Sequence, residues 1–528
     1  MSSLATLRRI PLCIGALILA LSAAAPLGAV SYDVVYVRWP RAGDSTLIYL
    51  PQGEDPYRTG AGADLMLLRP DGSQRTLVDC TTCCVQDPAI SFDGEWVYYT
   101  KLLDADDATS PSYLYKMHIA GSGADFREVQ LTFDDGYTGY LHQGNDADAD
   151  DLARYFGIRD MGPAPLPGGR IAFTSNRQAE IAFRQGTAFS VTDAYESSVM
   201  QIYVMDDHAG ERRTAELANL RQIGRGNLHM TLHPVVLQDG RLLFSNWDDA
   251  GGKFHYAMTT LYTMNPDGSN LMALTEPHDH HKNVDHFATQ LGDGTIVTAQ
   301  YYPSFNFGFG HLCRFAIATP EPAYTKTSAP ALNTYNGYPI SFRSFDRKGW
   351  ESVTPHTSPE DCPAPNFSGK YCMPAAAPEG DLLVSYSTGG VNYNRSCGSA
   401  GDYALAAGIY LIPDAATRQV TDPKSTTQLV KLHVSSSYNA IWPRPVVSYD
   451  EIHGIAQPKT IAPTSSVAPS DNRLKPGEPY AIVGTSSLYN RESATLGGDP
   501  FRPYDGREVH TGGWVLQGTD AGVVKNSD

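Results

Sequence analysis

The sequence predicts an all-β fold of the propeller type, with six blades of four antiparallel strands and a smaller C-terminal segment. Three observations lead there. A strand–turn–strand phrase recurs along the chain; a second, different phrase follows each copy; and both turn on Asp-Gly or Gly-Gly pairs flanked by β-branched and aromatic residues. Such pairs supply the positive φ of tight hairpin turns, and two hairpins per unit make a four-stranded sheet that repeats around an axis.

The first phrase reads ADLMLLRPDGSQRTLV from Ala63, YLYKMHIAGSGADFREVQLT from Tyr113 and QIYVMDDHAGERRTAELANLRQI from Gln201. It returns as TLYTMNPDGSNLMALT from Thr260 and, more worn, as GIYLIPDAATRQVT from Gly408. The second is an apolar pair, a Gly turn and a strongly β-prone strand: DPAISFDGEWVYYTK from Asp87, GPAPLPGGRIAFTSNR from Gly162, HPVVLQDGRLLFSNWD from His233. Further copies are HFATQLGDGTIVTAQYY from His286, PAAAPEGDLLVSYSTGG from Pro374 and a weak one, WPRPVVSYD, from Trp442. Copies lie roughly 50 to 90 residues apart, so several blades carry long insertions. The first strand, DVVYVRWPR from Asp33, is expected to close the ring by pairing with the last blade.

Composition agrees. At 528 residues the chain exceeds what one compact core supports, so it is either several domains or a repeat array. Charged residues make up only 18%, while Gly (48), Pro (36) and Tyr (30) are plentiful, which suits short strands and turns rather than long surface helices.

Residues 1–29 have the pattern of a secretory leader: Arg8 and Arg9, an apolar run from Ile10 to Leu21, then small residues up to Ala29. The run is shorter than the roughly 20 residues that span a bilayer. The expected organisation is a leader at 1–29, a propeller with long insertions at 30–450 and a C-terminal segment at 451–528 that starts a following domain. The expected location is periplasmic or secreted, with no membrane contact once the leader is cleaved. A net charge of −17 with no Lys/Arg cluster argues against nucleic acid as a partner.

The phrases resemble the TolB-like propeller repeat, over about residues 33–450. The leader, the long insertions and GIRDMGPAPLPGGRIAFTSNR further resemble the large exported proteins related to the hydrazine synthase alpha subunit. That resemblance implies a propeller coupled to c-type haem domains, and hence a protein partner or cytochrome-like domain. Covalent haem attachment needs C-x-x-C-H. Here Cys80-Thr81-Thr82-Cys83 is followed by Cys84, so the iron ligand is missing, and haem c is not expected within this chain.

Three groups of residues remain as candidate sites. Cys80, Cys83 and Cys84 suit disulfides, with Cys313, Cys362, Cys372 or Cys397 as further partners, or a zinc site. Cys362 and Cys372 flank a Pro-rich loop as a local staple. His278, His280, His281, Asp285 and His286, together with His233, offer imidazole and carboxylate ligands to a divalent metal in the central funnel; His142, His229 and His311 follow the same pattern. Asn145 to Asp151 alternates carboxylates in the manner of a calcium loop, but it lacks the loop's Gly at position six, and an acidic helix start is the plainer reading.

No G-x-S-x-G, H-E-x-x-H, P-loop or G-x-G-x-x-G motif is present. Two functions are therefore expected: a module that binds a partner protein or ligand at its funnel, or a metal-dependent enzyme there, polysaccharide lyase-like or redox. The first takes precedence, because no catalytic motif is complete.

Overall fold

The computed structural model describes residues 30–41, 60–107, 110–133, 158–177, 200–208, 219–224, 229–248, 259–274, 284–301, 308–316, 351–357, 368–389, 391 and 405–462. Short strands at 140–141, 155–156, 181–185, 194–198, 332–335 and 338–341 are also described.

Six four-stranded antiparallel sheets form the six blades of a β-propeller. From the axis outward, blade two runs Cys84–Ile90, Trp96–Leu102, Ser112–His118, Glu128–Gln130. Blades three to six repeat this order from inner strands Asp160–Leu166, His229–Val236, Val284–Gln290 and Lys370–Ala376. In each, the second sequence phrase forms the inner hairpin; the first forms the outer one in blades two, three, four and six, while the outer strands of blade five, His311–Ala316 and Glu351–Ser352, carry no copy of it.

Blade one closes the ring. Its inner strand is Tyr438–Pro445, from the C-terminal end of the propeller, and Val34–Pro40 from the N-terminal end lies between that strand and Asp64–Leu68. Val34, Val35, Tyr36 and Val37 are all buried, because a strand with neighbours on both edges and blades on both faces has no wet side. The expected closure by the first strand is what the sheet shows.

All six inner strands carry the same irregularity. Register slips by one residue between Gln86 and Ala89, Met161 and Ala164, Leu232 and Val235, His286 and Thr289, and Cys372 and Ala375, and the closing blade slips against Val35 and Val37. Inside each slip one residue has positive φ: Asp87 (54°), Gly162 (60°), His233 (49°), Phe287 (53°), Met373 (54°) and Trp442 (57°). Proline follows five of the six, and Ala288 follows Phe287. Proline has no N–H to give a ladder, so it sits where the bulge leaves a gap in pairing. The left-handed conformation costs a side-chain-bearing residue about 1–3 kcal/mol. Its product is a turn of the strand that carries six residues of one repeat column onto the axis.

After Pro445 the chain runs across the face formed by the inner-hairpin turns. The helix Tyr449–His453 has a capping box of Ser448 and Glu451 and ends on Gly454 in the left-handed region. Tyr449 N–H donates to Phe92 O in blade two (2.8 Å), the helix packs on the Pro378–Gly380 turn of blade six, and Lys459 N–H donates to Gln238 O in blade four (3.0 Å). Glycine at two of these turns is a requirement of contact: a Cβ on Gly292 would lie 2.2 Å from Ile452 O, and one on Gly240 2.0 Å from Lys459 O.

That contact predicts a difference between two glycines of similar backbone. Gly240→Ala should lower stability by about 1–3 kcal/mol and open residues 446–462 to protease. Gly72→Ala, also at positive φ but with open space around it, should weaken the fold without exposing that segment. Equal protease resistance of the two variants would show that the segment is not held by this turn.

Candidate functional site in the central channel

Five of the six bulged residues, all but Met373, line a cavity of about 200 Å³ on the propeller axis. Its walls are apolar: Pro88, Pro163, Pro234 and Pro374, with Ala89, Ala164 and Ala375. Against them stand Asp87, His233, Trp442 and Arg444, while Tyr449, Ile452 and His453 form the wall on the helix side. His453 Nδ1 lies 3.1 Å from Gln238 Nε2.

A polar chain runs from the cavity into blade five. Asp87 Oδ2 accepts the Gly162 N–H (3.1 Å) and the Thr100 hydroxyl (3.4 Å), and Asp87 Oδ1 lies 3.3 Å from His233 Nε2. His233 Nδ1 is 2.7 Å from His286 Nε2, and His286 Nδ1 is 2.6 Å from the Tyr301 hydroxyl. One proton assignment satisfies every link: Tyr301 O–H donates to His286, His286 Nε2–H donates to His233, and His233 Nε2–H faces Asp87. Burial drives the His286 pKa well below that of an ordinary imidazole, and the neighbouring His233 adds to this. Neutral His286 is the form the assignment requires.

Aromatic rings pack around the pair. Phe287 stacks on His286 with centroids 3.7 Å apart, Trp442 meets Phe287 edge-on at 5.0 Å, and the Arg444 guanidinium lies 5.4 Å from the Trp442 ring. Burial lowers the Arg444 pKa to about 10, with Asp87 opposing the shift, so it stays cationic at neutral pH. The Cys372 thiol is buried, and burial holds its pKa well above the ordinary value, so it is not a thiolate.

Several polar atoms on this wall have no hydrogen-bond partner: Asp87 Oδ1, His233 Nε2, Trp442 Nε1 and Tyr449 OH. The 3.3 Å between the first two is an ion-pair distance, but its alignment gives neither a hydrogen bond. Buried unpartnered polar atoms cost about 1–3 kcal/mol each, and four of them gather on this one cavity wall.

Of the expected metal ligands, His233 and His286 are brought into contact. Asp285 is buried and accepts the Gln300 amide at 2.9 Å. His278, His280 and His281 lie outside the described residues, as do His142 and Asn145 to Asp151. Among the described residues no three His, Cys, Asp or Glu side chains converge as a metal site. Cys80 and Cys83 form a disulfide, while Cys84 is buried at the start of the inner strand of blade two, its Sγ 3.7 Å from Val85 O. Cys372 is a free thiol inside an inner strand, packed in the core, and Cys362, its expected partner, lies outside the described residues.

Asp87, Phe287, Tyr301, Trp442 and Arg444 were not singled out from sequence. A signal for three of them existed: aligning the copies of the second phrase puts Asp87, Phe287 and Trp442 in one column with His233, and Pro follows all of these but Phe287. Nothing local marks Tyr301 or Arg444.

The His286 environment fixes the sign of a pH effect. Below about pH 6.5 the unfolded chain binds a proton that His286 refuses in the fold, so stability is present above that pH and falls as pH decreases. Replacing His286 with Leu should reduce this slope by about 1.4 kcal/mol per pH unit, read from denaturant melts between pH 6.5 and 5. An unchanged slope would show that His286 does titrate normally. Reducing the Cys80–Cys83 bridge, which closes a short loop, should cost about 2 kcal/mol and leave the cavity intact.

No protein-family model matches the chain, and no curated protein matches it by sequence. Solved structures do. The hydrazine synthase of Kuenenia stuttgartiensis is 17% identical, covering 83% of this chain and 49% of its own, with a TM-score of 0.48. This chain thus spans about half the length of that one. A putative TolB from Agrobacterium tumefaciens is 12% identical over 77% of this chain and 91% of its own, TM-score 0.35. An oligogalacturonate lyase in complex with manganese is 9% identical over 75% and 83%, TM-score 0.31. The chain is a six-bladed β-propeller with TolB and hydrazine synthase among its structural neighbours.

Proposed function

We propose that the chain is an exported binding module that takes a ligand into its central channel. The observation that carries this is the axial cavity with unpartnered polar atoms on an otherwise apolar wall. Ligand sites have that make-up: mostly apolar surface with a few fixed polar groups. Export is supported by the leader-like residues 1–29 and by the Cys80–Cys83 disulfide, a bond that persists in oxidising compartments. No described helix is long and apolar enough to cross a membrane. A partner protein or cytochrome-like domain remains part of the reading as the receiver of what the channel binds.

The test is a thermal-shift screen of small polar molecules on the wild type and on Ala89→Leu, which adds bulk to a partly exposed position on the cavity wall. Ligands that stabilise the wild type by about 3 kcal/mol at a hundredfold excess over Kd should lose that effect in Ala89→Leu. Ligands that stabilise both proteins equally bind elsewhere, and the channel reading then fails.

A further inference from the structure

We infer that the channel ligand is a small zwitterion of the amino-acid type, with its acidic group at Arg444 and its ammonium group at Asp87. The inference rests on the channel-binding reading and names the chemistry of its occupant.

Three facts on the cavity wall lead to it. Arg444 is half-buried there, and its one hydrogen bond is from Nη1 to Pro443 O at 2.8 Å. The rest of its five-donor fork is uncommitted, and such a fork matches a carboxylate with two parallel bonds. Trp442, against whose ring the guanidinium lies, adds an indole N–H with no acceptor. These two residues therefore supply donors for an anionic group and no acceptor.

Asp87 supplies the opposite. Its Oδ2 is held by Gly162 and Thr100, which fixes the carboxylate in place, while Oδ1, 3.3 Å from His233 Nε2, accepts no hydrogen bond. No hydrogen bond or ion pair joins Asp87 to Arg444, so two opposite charges face one small cavity without neutralising each other directly. A monoanion would leave Oδ1 unpartnered, and a monocation would sit in the field of Arg444. A molecule carrying both charges completes both ends, and unpaired buried charge is what such a site rejects most strongly. The proline and alanine walls bound a short carbon skeleton between the two groups. At about 200 Å³ the cavity has room for several water-sized groups and none for a peptide.

The experiment is titration calorimetry of the full chain with four probes: glycine, 3-aminopropanoate, propanoate and propylamine. The zwitterions should bind at least about tenfold more tightly than propanoate or propylamine. Arg444→Gln and Asp87→Asn should each weaken zwitterion binding by about tenfold or more, with Arg444→Lys, which keeps the charge, falling between Arg444→Gln and the wild type. Thermal melting of each variant is recorded first. If Asp87→Asn does not fold, the Arg444 pair and the probe ranking decide. Propanoate binding as tightly as the zwitterions, or zwitterion binding indifferent to Arg444→Gln, overturns the inference. So does an absence of heat with either zwitterion up to its solubility. If the thermal-shift screen meanwhile yields other ligands that Ala89→Leu abolishes, channel binding stands and only the ligand class falls. If it yields none, both fall.

Discussion

The ring exists because one strand from the beginning of the propeller lies inside a sheet made by its end. Val34–Pro40 has Asp64–Leu68 on one edge and Tyr438–Pro445 on the other, so neither edge of this strand is left raw. Closure of this kind joins the most distant parts of the chain and brings a loop-entropy cost that grows only slowly with length. The channel needs it: an open arc of six blades has no axis, and Trp442 and Arg444 reach the cavity only because their strand is drawn in beside Val35.

Within the closed ring, repetition and individuality do different jobs. The bulge is common to all blades, with Pro after it in five of the six, and its left-handed residue is a cost the surrounding pairing absorbs. The side chain at that position is not common: acid, none, imidazole, benzyl, thioether, indole. The scaffold thus delivers five different side chains and one glycine to one axis at equivalent positions, and the polar ones come from blades one, two and four. His233, His286 and Tyr301 then polarise one another in a single direction toward Asp87, which a set of isolated polar residues in the same places would not do.

The fold was legible from sequence because its signals are local. A turn such as Asp71-Gly72 and the strands on either side of it are contiguous, and the copies reinforce one another. The closing role of the strand from Asp33 followed from the odd strand left at the start. The site was legible only in part. His233 and His286 stood out as imidazoles, yet their partners come from blades two and one, and no spacing rule connects Asp87 to His233 or Trp442. Chemistry drew attention to Cys84 and Asp285, whereas the structure gives weight to a proline column whose meaning is geometric. The His278–His281 cluster and the acidic stretch at 145–151 lie outside the described residues.

The segment after Pro445 gives the channel a floor. Its backbone touches the inner turns of blades two, six, five and four in succession, so the axis is a cup rather than a pipe. In a pipe, occupancy depends on flow between two compartments. In a cup, whatever enters leaves by the same mouth, and the residence of a ligand is governed by that mouth together with how firmly the floor is latched. The latch is two glycines and a five-residue helix, so a pull on the chain beyond residue 462 would act directly on the base of the cup.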